Sequence, residues 1–228
     1  MEEAKECIRN WTSGPLDLSW LGLTELPELP VNLRELLCQN NQLTTLPDTL
    51  PAGLTELCCW NNQLRTLPNT LPTGLTGLYC FNNRLTTLPD TLPATLEVLY
   101  CSNNLLTRLS NTLPAGLTWL DCFDNQLTML PDTLPRNLRT LNCENNHLTT
   151  LPDTLPANLT TLNCENNWLT ILPNTFPMTL TNLYCSNNNL PEHETDESLV
   201  HYLFCPNAIR EQKIFTNVNI QSIKLKIE

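Results

Sequence analysis

The chain has 228 residues, a length that fits one or two domains. It carries 12 basic against 23 acidic residues, a formal charge of −11, which excludes a phosphate-backbone binder because that function needs a basic footprint. No run approaches the roughly eighteen apolar residues of a membrane span, and eleven cysteines are too few for a disulfide-dense scaffold of this length.

The opening MEEAKECIRN is charged and lacks an apolar secretory core, so a soluble, intracellular chain is expected. Ala4, Cys7, Ile8 and Trp11 recur at near-helical spacing and predict an amphipathic helix over 2–13. That helix forms an N-terminal cap spanning residues 1–15.

Residues 16–190 are an internal repeat. Cys38, Cys59, Cys80, Cys101, Cys122, Cys143, Cys164 and Cys185 are each 21 residues apart, within a unit reading LxxLxCxxNxLTxLPxTLPxxL. A degenerate first copy, LDLSWLGLTELPELPVN, is one residue shorter. The unit matches the leucine-rich repeat signature and predicts a solenoid with short parallel strands at each LxxLxC. The second Leu and the Cys are two apart, so both point inward. Asn41, Asn62, Asn83, Asn104, Asn125, Asn146, Asn167 and Asn188 form a column of amides that can satisfy buried backbone groups where each strand bends away. Two prolines per unit forbid a useful helix on the convex side, which reads as extended and polyproline-like; Ser110 replaces one of them. Residues 191–228 hold an acidic linker, PEHETDES, then LVHYLFC and an alternating apolar tail that predict a β-type C-terminal cap.

The cysteine column has three readings. Parallel Cβ vectors in a reducing compartment suit disulfides poorly. A 21-residue period offers no close zinc-ligand pair. Small buried apolar groups filling a narrow core are the simplest reading. Cys58 points to the opposite face, with no basic neighbour or His to lower its pKa. His147, His193 and His201 form no dyad with a nucleophile, and no phosphate loop or metalloprotease motif is present, so no cofactor, metal site or catalytic residue is assigned. The Asn10 and Asn158 sequons carry no meaning without a secretory leader.

Positions that vary between repeats on the outward strand face are free for recognition. Six of the fourteen aromatics fall there within four consecutive repeats: Trp60, Tyr79, Phe81, Tyr100, Trp119 and Phe123. With rungs about 5 Å apart they predict one continuous patch. Asp121, Asp124, Glu144 and Glu165 form a carboxylate strip beside it. Aromatic anchors with an acidic flank suit a protein partner carrying apolar residues next to Lys or Arg.

LDLSWLGLTELPELPVNL, followed by NNQLTTLPDTLPAGLTEL, resembles the repeats of enterobacterial type III secreted effectors of the YopM and IpaH type. EEAKECIRNW resembles the last helix of their N-terminal cap. The resemblance implies a bacterial protein delivered into a host cell, with repeats that bind host proteins or choose substrates for a ubiquitin ligase domain. This chain departs from it in two ways. Cys stands where the family has Val or Leu, and Cys205-Pro206-Asn207 lacks the carboxylate of the ligase motif. The expectation is therefore a non-enzymatic recognition module, an effector or adaptor that grips a host protein with its concave face. The alternatives are the recognition part of a ligase whose catalytic domain is absent from this chain, or a self-assembling structural repeat protein.

Overall fold

A computed structural model describes residues 1–190. The proposed acidic linker, the β-type closing cap, His193, His201 and Cys205 lie outside the described residues.

The described chain is a succession of short rungs, each a strand followed by an extended return. Helix α1 (Glu2–Asn10) is followed by nine strands. These are β1 (Leu16–Asp17), β2 (Glu35–Leu37), β3 (Glu56–Cys58), β4 (Gly77–Tyr79), β5 (Val98–Tyr100), β6 (Trp119–Asp121), β7 (Thr140–Asn142), β8 (Thr161–Asn163) and β9 (Asn182–Tyr184). They form one parallel sheet in chain order, β1 to β9. From β2 onward each residue pairs with the one 21 positions later, as in Leu57↔Leu78 and Leu99↔Leu120. The first pair, Leu16↔Leu36, is one residue shorter, as the degenerate first copy predicts.

The core is a stack of leucines and thiols. Leu36, Leu57, Leu78, Leu99, Leu120, Leu141, Leu162 and Leu183 are fully buried, as are the cysteines two residues on, except for a trace of exposure at Cys185. The leucines of the return segments close the core from the other side. A rung buries its apolar face only against its neighbours, so stability comes from stacking.

The asparagine column works as a backbone ladder. Asn146 is typical: its Oδ1 accepts the Leu127 N–H at 2.9 Å, and its Nδ2 donates to the carbonyls of Cys122, Cys143 and Glu144 at 3.0, 3.1 and 3.1 Å. The amide thus ties two successive turns where the strand ladder ends. Asn62, Asn104 and Asn125 repeat the pattern.

The preceding residue has its own structural role. Asn40, Asn61, Asn82, Asn103, Asp124, Asn145, Asn166 and Asn187 all sit at φ between 50° and 58°, the left-handed region that Asn and Asp tolerate best. The first rung departs from this, placing Trp20 there at φ 62°.

On the convex side the described residues hold no helix, as the prolines require. The second proline of each unit also opens a tight turn: Pro51 C=O accepts the Leu54 N–H at 3.0 Å, and the same bond recurs at Pro72, Pro93, Pro114, Pro135, Pro156 and Pro177. Where Ser110 replaces proline, its hydroxyl donates to the Asp90 carbonyl at 2.8 Å, stitching two returns together.

Helix α1 ends three residues earlier than the periodicity predicts. Trp11 is already extended at ψ 132°, Gly14 takes φ 81°, and Pro15 disfavours helix in the residue before it. Trp11 still serves the cap, packing with Cys7 and Ile8 against the core while its Nε1 donates to the Gly14 carbonyl at 3.0 Å.

Candidate functional site: the outward strand face

Alternation along each strand sends the second Leu and the Cys inward, leaving three outward columns per rung. In these columns the rings stack. Trp60 and Phe81 lie 5.0 Å apart and 8° from parallel. Tyr79 and Tyr100 stack at 5.5 Å, and Tyr100 and Trp119 at 5.9 Å. Phe81 leans on Tyr100 at 6.4 Å, which joins the two stacks. Five of the six predicted aromatics are therefore one assembly crossing β3 to β6. It runs diagonally, from the column after the cysteines to the column before the second leucines. Phe123 stands apart from it: it is half-buried, in the column that holds Trp60 and Phe81, with Ser102 on the rung between.

The carboxylates divide by what holds them. Glu144 is engaged by amides, its Oε2 accepting from Asn163 at 2.9 Å and its Oε1 from Asn166 at 3.3 Å. Glu165 accepts the Ser186 hydroxyl. Asp124 is exposed and occupies the left-handed turn position, so its residue type has a backbone reason as well. Among the described residues, Asp121 accepts only the Phe123 N–H, at 3.3 Å. Burial raises the Asp121 pKa, the Phe123 N–H opposes that shift, and nearby Glu144 adds to it. Burial followed by the Asp121 charge raises the Tyr100 phenol.

Sequence reasoning missed Glu56. Gly77 on the next rung has no side chain, and the Glu56 carboxylate fills the space: a Cβ on Gly77 would lie 1.9 Å from Glu56 Oε2. Glu56 Oε1 accepts the Thr76 hydroxyl at 3.1 Å. Burial, then the Glu56 charge, raises the Tyr79 phenol. A glycine at one register of an otherwise occupied column was the available signal. A second missed feature lies off this face, in the column after the ladder asparagines. There His147 and Trp168 stack at 4.5 Å.

Cys58 is half-buried on the outward face. Burial, with Glu56 and Glu35 adding to it, pushes its thiol up to about 11, so it is a poor nucleophile at neutral pH. The inward thiols are raised by burial too, Cys80 to about 12 and Cys185 to about 11. Cys122, Cys143 and Cys164 donate to the carbonyls of Asn142, Asn163 and Tyr184 on the next rung, each at 3.3 Å.

The Leucine Rich Repeat family model matches residues 137–157 and 158–178. No curated protein sequence matches the chain significantly. Among solved structures, YopM, a leucine-rich effector protein from Yersinia pestis, is similar with a TM-score of 0.73 at 34% identity over 83% of this chain. The chain spans 59% of the length of that Yersinia protein. A Shigella effector LRR domain is similar at 30% identity with a TM-score of 0.57, over 88% of this chain and 80% of that one.

The chain belongs to the leucine-rich repeat family.

Its leucine-rich repeats are of the bacterial effector-like kind. The functional domain of InlJ from Listeria monocytogenes, which includes a cysteine ladder, is similar at 31% identity with a TM-score of 0.61, over 83% of this chain and 47% of that one. The leucine-rich repeat solenoid is a protein-interaction scaffold, and it serves here as a protein-interaction module. No helix among the described residues is long and apolar enough to cross a membrane.

Proposed function

We propose that this protein is a non-enzymatic recognition module that binds another protein through the outward, concave face of its sheet. The observation that carries the reading is the five-ring assembly of Trp60, Phe81, Tyr79, Tyr100 and Trp119. Trp119 is 39% exposed, and the other four rings are half-buried, each offering an edge or face to an incoming ligand. Contiguous aromatics of this kind mark binding surfaces, and Trp and Tyr dominate interface energetics at low entropic cost. Cross-strand stacking also stabilises the sheet, yet stacking alone gives no reason for carboxylates to border the rings. The likeness to YopM and to the Shigella effector domain supports a host-directed effector or adaptor role. With Asp121, Asp124, Phe123, Glu144 and Glu165 at the border, the partner carries apolar residues beside Lys or Arg.

The test is a random peptide library displayed on phage and selected against the intact chain. The control is the Trp60→Ser/Trp119→Thr variant. Both replacements occur naturally in the same columns, at Ser102 and Thr140. Selected peptides should lose at least tenfold in affinity for the variant while its circular dichroism is unchanged. Peptides that bind both proteins equally would remove the concave face from consideration.

A further inference from the structure

The three outward columns from β2 to β9 carry Glu35, Glu56, Asp121, Glu144 and Glu165 and no Lys or Arg at all. The ion pairs among the described residues, Arg9 with Glu2 and Arg108 with Asp90, lie elsewhere. The concave carboxylates therefore have no cationic partner among the described residues. Glu144, Glu165 and Glu56 are at least held by neutral donors. Asp121 is the carboxylate placed beside the ring assembly at Tyr100 and Trp119: it is half-buried and, among the described residues, accepts one long backbone hydrogen bond. It pairs in register with Tyr100, and Trp119, two residues before it on the same face, stacks on that tyrosine at 5.9 Å. An anion thus sits at the foot of two stacked, accessible rings.

Such a site has a specific complement. An aromatic face attracts a cation, and a planar guanidinium can stack on it while its edge donates two parallel hydrogen bonds to a carboxylate. A lysine ammonium is a compact, strongly hydrated point charge that can do only part of this. We propose that Tyr100, Trp119 and Asp121 form a binding site for an arginine side chain presented by a basic segment of a partner protein. The proposal rests on the concave-face reading and narrows it to one side chain and one subsite. Charge complementarity makes the choice: an acidic sheet face without a single basic residue attracts a basic partner and repels a second copy of this acidic chain.

The probe is the tightest peptide from the library selection, remade with each arginine replaced in turn by lysine or citrulline. Its binding to the full chain is measured by calorimetry. One arginine should stand out, with lysine weakening binding at least fivefold and uncharged, planar citrulline at least twentyfold. Asp121→Asn and Trp119→Thr should each abolish that preference. Both variants should fold, because Asn142 and Thr140 hold the same columns one rung on. Asp124→Asn, at the turn position, should leave it intact. Selected peptides that depend on Trp119 but contain no arginine would overturn this proposal and leave the concave-face reading standing. Failure to select any Trp119-dependent peptide would overturn both. Light scattering that shows dimerisation abolished by Trp119→Thr would assign the face to a second copy and equally overturn the proposal.

Discussion

Asn146 makes four hydrogen bonds while only 3% exposed: it supplies the acceptor for the Leu127 N–H and a donor to the Cys122, Cys143 and Glu144 carbonyls, the last of which also accepts the Asp124 N–H. Replacing it with alanine strands one N–H and weakens three carbonyls, an expected loss of about 2–4 kcal/mol. Asn146→Asp should cost more, because its second oxygen would face three carbonyl oxygens in place of a donor. Urea titrations of the two variants against the parent measure both. Trp20 makes the opposite case. It is 76% exposed and held at φ 62°, in a position that every later rung gives to Asn or Asp. The left-handed region costs an ordinary residue about 1–2 kcal/mol. Trp20→Asn should therefore raise the urea midpoint, and an unchanged or lowered midpoint would mean that the indole makes up for its backbone. The amide ladder was readable in the sequence, since a buried Asn at fixed spacing has few other uses. The left-handed column was not read, because the doubled asparagine drew attention only to its second member.

At the scale of the repeating element, the cysteine ladder links stability to pH. Unfolded thiols ionise near about 8.5. In the folded chain burial raises Cys80 to about 12 and Cys185 to about 11, and the remaining inward thiols are raised as well. Their contribution is complete below the unfolded value. Above it the unfolded chain releases protons that the folded chain retains, so stability falls as pH rises toward the folded values. Each thiol gives a slope of about 1.4 kcal/mol per pH unit. The melting temperature should therefore drop steeply above about pH 9, and a Cys101→Val/Cys122→Val/Cys143→Val variant should show a shallower drop. Equal slopes would mean that these thiols do not govern alkaline unfolding. The inward direction of the cysteines followed from strand alternation. Their donation to the next rung's carbonyls did not, because it depends on how closely successive rungs approach.

For the whole molecule, the first rung needs a cover that the repeat cannot supply. Strand β1 is one of the two edges of the sheet among the described residues, and α1 caps it through Ala4, which is fully buried, with Cys7, Ile8 and Trp11 beside it. An uncovered edge offers unpaired backbone to other chains. Ala4→Glu forces a charge into that contact. It should displace the helix, lower the thermal midpoint by several degrees and produce concentration-dependent association in light scattering. A monomeric variant with an unchanged midpoint would show that the cap contributes little.

The regularity of the sequence was enough to determine the period, the parallel register, the shortened first rung, the inward thiols and the rung on which each outward ring sits. A 21-residue repeat with two-residue alternation leaves the backbone little choice. Tertiary structure decided how neighbouring outward side chains meet: the diagonal path of the ring stack, the exclusion of Phe123, the Glu56 carboxylate over Gly77 and the isolation of Asp121 from any cation among the described residues. Those outcomes depend on rotamers and on distances across adjacent strands. Periodicity fixes the column and the height of a side chain, while packing against its neighbours sets its tilt and its partner.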